Sequence, residues 1–466
     1  MLVGIRKVQW LDICAVFCCF VFFLLGMLVS LNRFWQYEVS FVDFGQYDQA
    51  LWHISRFQEP LTYHFLYGKI DVLGDHVTPS VFLLAPLYWF TNRSEVILIA
   101  QAFIVALSGF FLYDLSKEII KRRFVSFCIL LSYFLFVGLQ NAVITEFHEL
   151  TVMTLPLMLT FWAIAKSKKI TYFVALLIML GCKEITFLLG ISIGVALFFL
   201  KKDWRKQSIW TIGISILWGI IAFKGIIPHF NHGQYLYANN LPPGIFPKVY
   251  ALVDDPLKRR TLFYSFFSFF FLPFFSPAFW LAISQDYATR FIPANFVTRW
   301  DLGMHYNAQS AVLLAVASVY GLKYLIKFSV IKKYVSILSV LLVLNAFILF
   351  RFVLHGPFLL AFNSAFYRHS RDFTFLNSMI TKVPGDATVM TQNDLAPRFT
   401  HQDVRLLTVN YPQVKPEYIV VDIRQGQNPN NFFGSKYFPQ IVQQLFVDKK
   451  YEIVFKTDDQ YIFKRK

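Results

Sequence analysis

The residues best suited to chemistry gather in one polar interval, 40–79, which holds Asp43, Asp48, Asp71, Asp75, His53, His64 and His76, with Gln49 beside Asp48. Smaller polar corners follow at Glu146-Phe-His148-Glu149, Lys183-Glu184 and His305-Tyr306. An acid beside a membrane surface can take a proton from a hydroxyl. With a neighbouring carboxylate or imidazole it can instead hold a divalent cation such as Mg2+ or Mn2+. A lysine, or such a cation, neutralises a phosphate leaving group. No P-loop, HExxH, GxSxG or cysteine-rich metal motif is present, which counts against ATP-driven, zinc-protease and serine-hydrolase chemistry.

Each candidate also has a plain structural reading. Asp43 suits the N-cap of a helix beginning near Phe44. Asp75-His76 suits a turn ahead of Pro79. Glu146, His148 and Glu149 suit the polar start of a helix, and Lys183-Glu184 suits an ion pair at a corner where a lysine has little room to snorkel. The functional reading rests on the set rather than on any one member.

What must position this set is a membrane domain. Of 466 residues, 56% are hydrophobic, 19% aromatic and 15% charged, where soluble domains carry roughly one quarter charged residues. Apolar runs of about 20 residues, long enough to cross a bilayer, recur from Trp10 to Phe352. The formal net charge of +16 sits in short Lys/Arg clusters at the ends of those runs. That is the pattern of the positive-inside rule and implies no nucleic-acid partner. Cys14, Cys18, Cys19 and Cys128 lie inside apolar segments and Cys182 beside one, so they read as small hydrophobes. The first run, 11–31, is too long for a signal-peptide core and lacks a cleavage site, so it reads as an uncleaved span.

Charge fixes the sides. Arg6 and Lys7 place the N-terminus in the cytoplasm, and basic clusters at 117–123, 166–169, 201–206 and 323–333 mark the other cytoplasmic ends. This parity predicts about ten transmembrane helices over residues 1–355. It also predicts a first external loop at 32–93 with a short re-entrant piece at 81–90, and a helical hairpin in 261–283 turning at 273–277, where prolines break the helix. Every polar corner named above then falls on the external side. Ionisable groups near membrane depth are costly and tend to face a cavity. The Phe-rich stretch 264–275 offers an apolar groove for a lipid tail.

From Gly356 the composition changes. Short β-rich runs at 387–390, 404–407, 418–421, 451–456 and 461–464, with a helical stretch at 371–380, predict a small extracytoplasmic α/β domain over 356–466. Asp458-Asp459-Gln460 reads as a hairpin turn between the last two strands.

The run Phe41-Val-Asp-Phe-Gly-Gln-Tyr-Asp-Gln-Ala-Leu-Trp52 resembles the signature of a bacterial family of predicted membrane proteins, a domain of unknown function. Gly74-Asp-His76 with Pro79 and Pro86, Glu146-Phe-His148, Lys183-Glu184 and His305-Tyr306 match its further motifs in order. Where the family usually has Asp-Phe-His this chain has Glu146-Phe-His148, so the carboxylate is one methylene longer. The family is similar in layout to the GT-C glycosyltransferases, which have many spans, a long first external loop with an essential acid, and polyprenyl-phosphate sugar donors. The resemblance implies a polytopic α-helical membrane glycosyltransferase of the bacterial cytoplasmic membrane, with Asp43 in the place of the loop acid. It implies Asp43, Asp48, His76, Glu146 and His148 in catalysis, and Asp43 with His76 as ligands to any divalent cation. Asp75, Lys183, Glu184, Gln49, His305 and Tyr306 would bind substrate. The expected partners are membrane lipid, a polyprenyl-phosphate sugar donor, and a glycan, lipid or protein acceptor. A transporter or flippase for a lipid-linked substrate, and a non-catalytic envelope protein acting through the C-terminal domain, are the competing readings.

Overall fold

A computed structural model of the chain describes residues 9–64, 68–231, 235, 237, 241–294, 296–408, 410–424 and 438–466; Arg6 and Lys7 lie outside them. Helices follow the apolar runs. Five are long and apolar enough to cross a membrane: Trp10–Trp35, Glu95–Ile120, Lys202–Phe230, Asn307–Leu325 and Ser329–Val353. Arg123–Leu135 and Val137–Ile144, bent by 52°, make a sixth if taken as one span. Four shorter apolar helices accompany them: Pro79–Trp89, Glu149–Ala165, Lys169–Leu180 and Thr186–Leu200. At 1.5 Å per residue, the 12 residues of Lys169–Leu180 reach about 18 Å, short of the ~30 Å hydrocarbon core. Length and composition among the described residues thus support five or six crossings, where charge parity counts about ten.

Burial and hydropathy pick out the centre of the bundle. Asn307–Leu325 has the lowest mean hydropathy of the five, 1.3, and the largest buried share, 78%. Its surface is met by protein rather than lipid, and Ala308, Ala311, Ala315, Ser318 and Gly321 let neighbours approach closely. The helix Pro256–Ser268 ends at Phe269, and the chain turns through short 3-10 pieces at Leu272–Phe275 and Pro277–Phe279 before Trp280–Phe291. Phe270 and Phe271 both adopt left-handed backbone at this turn.

The segment after the first helix holds a two-stranded antiparallel ribbon, β1 (Leu61–His64) and β2 (Gly68–Asp71), that the sequence pattern does not reveal. The C-terminal strands form a five-stranded sheet. They are β3 (Val389–Thr391), β4 (Val404–Leu406), β5 (Tyr418–Asp422), β6 (Tyr451–Thr457) and β7 (Gln460–Arg465), ordered β4-β3-β5-β7-β6. β3 runs parallel to β4 and β5, while β7 is antiparallel to β5 and β6. Thr457 pairs with Gln460 across Asp458-Asp459, the expected hairpin turn.

The pleat divides this sheet between two cores. Ile419, Val421 and Phe463 face Ile441, Val442 and Leu445 of the helix Phe438–Val447. Val389, Val420 and Ile462 face Leu376 and Met379 of the helix Thr374–Ile380. The second core also takes in Tyr37 and Phe41, which follow the first long helix. The sheet domain is therefore packed directly onto the polar segment that carries Asp43.

Candidate functional site

Asp43 sits in a single π-helical turn, Phe41–Gly45, that straddles two cores. Phe41 enters the sheet-domain core, while Phe44 packs with Tyr47, Tyr88 and Phe147 in the helical domain. Gly45 lets the turn close, since a Cβ there would lie 2.5 Å from the Phe41 ring. The backbone donors at the start of a helix need partners, and here they come from both sides. Ser40 N and Phe44 N donate to Glu146 Oε2 at 3.0 and 3.2 Å, and Ser40 Oγ donates to the same oxygen at 3.1 Å. Phe41 N and Val42 N donate to Asn393 Oδ1 of the sheet domain at 3.0 and 3.3 Å. Asp43 N donates to Ser40 Oγ at 3.4 Å. The Asp43 carboxylate is half-buried and accepts no hydrogen bond from any described residue.

Glu146 reaches the turn from a left-handed backbone, φ 79°, a conformation that costs a non-glycine residue roughly 1–2 kcal/mol. Gln101 holds that corner. Its Nε2 donates to Val143 O at 3.0 Å and Glu146 O at 2.5 Å, and its Oε1 accepts from His148 N at 2.9 Å. Burial and the neighbouring Asp43 charge push the Glu146 carboxyl up to about 8. Burial and Asp43 thus favour its protonated form, while Oε2 serves the three donors.

The His148 ring stacks on His305 with centroids 3.4 Å apart, and His305 lies 4.0 Å from the Tyr306 ring. Burial lowers the pKa of both imidazoles, His305 well below the usual value. His148 Nε2 and His305 Nδ1 are buried with no hydrogen-bond partner among the described residues. Lys183 Nζ meets Glu149 Oε1 at 2.6 Å, and Tyr47 OH donates to Glu149 Oε2 at 2.7 Å. Next to it, Glu184 accepts from Val77 N at 3.1 Å and Tyr235 OH at 2.8 Å, and lies 3.0 Å from His76 Nδ1. Burial opposes the charge on each partner, but their attraction outweighs it, holding Glu184 down at about 2 and His76 above its ordinary value. Asp75 accepts from Tyr237 OH at 3.0 Å, and the Tyr237 ring stacks on His76 at 4.4 Å.

These groups border a small cavity of about 60 Å³ lined by His76, Lys183, Tyr237, Arg290, Arg299 and Tyr306, among others. Arg290 is tied down by Ser310, Asn307 and the Arg299 carbonyl. The Arg299 guanidinium lies 3.9 Å over the Phe296 ring and makes no ion pair with any described residue. Asp43 is not part of the cavity wall; its charge acts on His148, and the stack His148–His305–Tyr306 leads from there to the cavity.

A family model described as "Predicted membrane protein (DUF2079)" matches residues 33–460. The chain belongs to the DUF2079 family. No curated protein matches it by sequence. Among solved structures it is similar to ArnT from Cupriavidus metallidurans bound to undecaprenyl phosphate, with a TM-score of 0.51, 11% identity and 97% of each chain covered. The likeness is one of fold over nearly the whole length. This DUF2079 protein is a multi-pass membrane protein whose fold is similar to that of ArnT.

In this family member, Asp43, Glu146, His148 and His305 lie on the turn side of the network, and Asp75, His76, Lys183, Glu184 and Tyr306 on the cavity side. Asp48 and Gln49 face elsewhere. Asp48 is fully buried, accepts from the Tyr88 and Thr400 hydroxyls, and lies 3.3 Å from His401 Nε2. Gln49 Nε2 donates to Gln402 O at 3.1 Å. Both bind the sheet domain rather than the cavity. Among the described residues, no group of three or more His, Cys, Asp or Glu side chains is placed to hold a metal ion. His76 Nδ1 is engaged with Glu184, and Asp43 lies outside the cavity wall that His76 lines.

Sequence reasoning missed Gln101, Tyr235, Tyr237, Arg290, Arg299 and Asn393. Two carried a signal. Gln101 is an amide inside a long apolar run, and Arg299 is a cation at the span end where the positive-inside rule disfavours one.

Proposed function

We propose that this protein is a glycosyltransferase that takes a sugar from a polyprenyl-phosphate donor on the extracytoplasmic face of the bacterial cytoplasmic membrane. The observation that carries the reading is the state of Asp43. Asp48, Asp75, Glu146, Glu149 and Glu184 are each engaged by protein donors, while the Asp43 carboxylate has none among the described residues. An unengaged acid beside two neutral imidazoles is free to take a proton from a substrate hydroxyl.

The reaction this supports is a displacement. The acceptor O–H gives its proton to Asp43, the oxygen forms a bond to the anomeric carbon, and the bond to the polyprenyl phosphate breaks with its electron pair leaving on phosphate. Arg299 and Lys183 would meet that developing charge in the cavity, where cationic hydrogen bonds are strong. Tyr237, Tyr306 and His76 offer aromatic faces for the sugar. The membrane orientation is supported by the clustering of Lys117, Lys121, Arg122, Arg123 and Lys166 around a separate charged pocket, as the positive-inside rule expects of a cytoplasmic end.

The test is transfer of a labelled sugar from a polyprenyl-phosphate donor by the purified full chain in lipid, compared with Asp43→Asn. Transfer by the parent and its loss in a folded variant supports the reading. Parental transfer by D43N would overturn it, as would movement of the lipid-linked substrate across liposomes with no transfer.

A further inference from the structure

We propose that the sheet domain is part of the reaction centre, and that Asn393 is a positioning residue for Asp43. The inference rests on the reading of Asp43 as the reacting carboxylate. Asn393 is the second residue after β3, in the loop leaving the carboxyl end of that strand. It bridges to the π-turn through both its side chain and its backbone. Its Oδ1 accepts from Phe41 N and Val42 N, and its carbonyl accepts from Phe41 N at 2.9 Å. Glu146 grips the same turn from the helical domain at Ser40 and Phe44. No donor from residue 40 to 44 is left over, and the side chain between the two grips is Asp43.

A π-turn needs such outside support. Five residues nucleate poorly on their own, and loops displace easily unless their backbone groups are held. The grip is also built into a fixed frame. Arg398 donates from the sheet domain to Phe34 O at 2.6 Å and lies 3.7 Å over the Phe34 ring. Gln36 Nε2 donates to Ser370 Oγ at 2.7 Å and Phe366 O at 2.9 Å. His401 stacks on Trp52 at 3.9 Å with the rings 5° from parallel. These contacts flank the turn before and after in sequence, so the sheet domain sets where Asn393 stands and Asn393 sets where Asp43 stands. A misplacement of about 1 Å at a reacting group costs on the order of 100-fold in rate.

The experiment compares the parent, Asn393→Ala and Asn393→Asp as full-length protein in lipid. Amide hydrogen exchange is read at single-residue resolution across 40–44, together with kcat and KM for sugar transfer. Asp keeps the oxygen that both amides use. The expected result for N393A is exchange about tenfold faster at Val42, a smaller change at Phe41, which keeps the Asn393 carbonyl, unchanged exchange at Phe44 and across β3–β5, and kcat lowered about ten- to hundredfold with KM within twofold. N393D should keep the slow exchange. Unchanged exchange at Val42 in N393A overturns the proposal, as does faster exchange spread over the whole sheet domain, which marks a merely structural role. If the exchange result holds but the parent shows no transfer, the clamp stands and the glycosyltransferase reading fails. If the parent transfers and N393A matches its kcat, the positioning role fails while that reading stands.

Discussion

Asp43 and Asp48 lie on one short segment, yet they meet opposite environments. Asp48 is fully buried and surrounded by donors from two domains, Tyr88 on one side and Thr400 with His401 on the other. Asp43 is half-buried, and its backbone is gripped while its carboxylate is not. The same contrast runs through the whole polar end of the bundle. At the seam beside Asp48 both carboxylate oxygens are taken up and rings stack across the joint, although Gln49 Oε1 and His53 Nδ1 have no hydrogen-bond partner among the described residues. Among the described residues, the region between Asp43 and the cavity keeps His148 Nε2 and His305 Nδ1 without hydrogen-bond partners and Arg299 without an ion pair. Unmet bonding capacity in a buried place costs stability, so where it persists it points to a substrate that supplies the missing partner.

The contrast breaks first at the two aspartates. Asp43→Asn is expected to lower kcat for transfer by 10²–10⁴-fold, the usual contribution of a positioned general base, with no fall in thermal midpoint. Arg299→Gln comes next, at about 10–100-fold in the KM for the lipid-phosphate donor, since a hydrogen bond to a charged group contributes about 1.5–3 kcal/mol. A steady-state series over donor concentration separates it from D43N, because kcat should hold. Asp48→Asn reverses the pattern. It should cost about 1–3 kcal/mol in a denaturant or thermal series by leaving the Thr400 or Tyr88 hydroxyl short of an acceptor. The fraction still folded should keep its kcat. If D48N instead lost turnover without losing stability, the division between seam and site would be wrong.

How much of this was legible in the sequence depends on the range of each contact. The longest spans were, because crossing a bilayer demands a long apolar run, but five or six helices are long enough where the sequence counted about ten. The break in the helix near Pro273 and Pro277 and the turn at Asp458-Asp459 were legible through local backbone chemistry. The polar corners were legible as a set, since five of them converge once charge has fixed the sides. The difference between Asp43 and Asp48 was not. Both stand in the same run, and Thr400 and His401, which saturate one of them, come from the far end of the chain. Asn393 was hidden for the same reason. The ribbon of β1 and β2 escaped because its residues alternate weakly, and the short helices escaped a firm count because 12 to 15 residues fit both a broken span and a buried helix.

The smallest effect is the most discriminating, because it reads Glu146 and Asp43 as a pair. Glu146 has a folded pKa of about 8 against 4.5 for the free side chain, so between those values the folded state holds a proton that the unfolded state has released. Its contribution to stability is therefore complete below pH 4.5 and is lost as pH rises through 8, at no more than about 1.4 kcal/mol per pH unit. Glu184 runs the other way: held at about 2, it contributes above pH 4.5 and loses that contribution as pH falls toward 2. His76, raised by Glu184 and Asp75 against the pull of burial, loses its contribution as pH rises through its folded value. Glu146→Gln keeps the neutral form and should remove the Glu146 share of the fall in thermal midpoint between pH 5 and 8. Asp43→Asn removes a charge that raises Glu146, so in that variant the fall should still start near pH 4.5 but finish at lower pH. Asp48→Asn, on the seam side, should leave the shape of the profile unchanged and lower it throughout. A D48N profile that moved along the pH axis as D43N does would mean the two carboxylates share one electrostatic site, and the sharp line between joint and reaction centre would have to be redrawn.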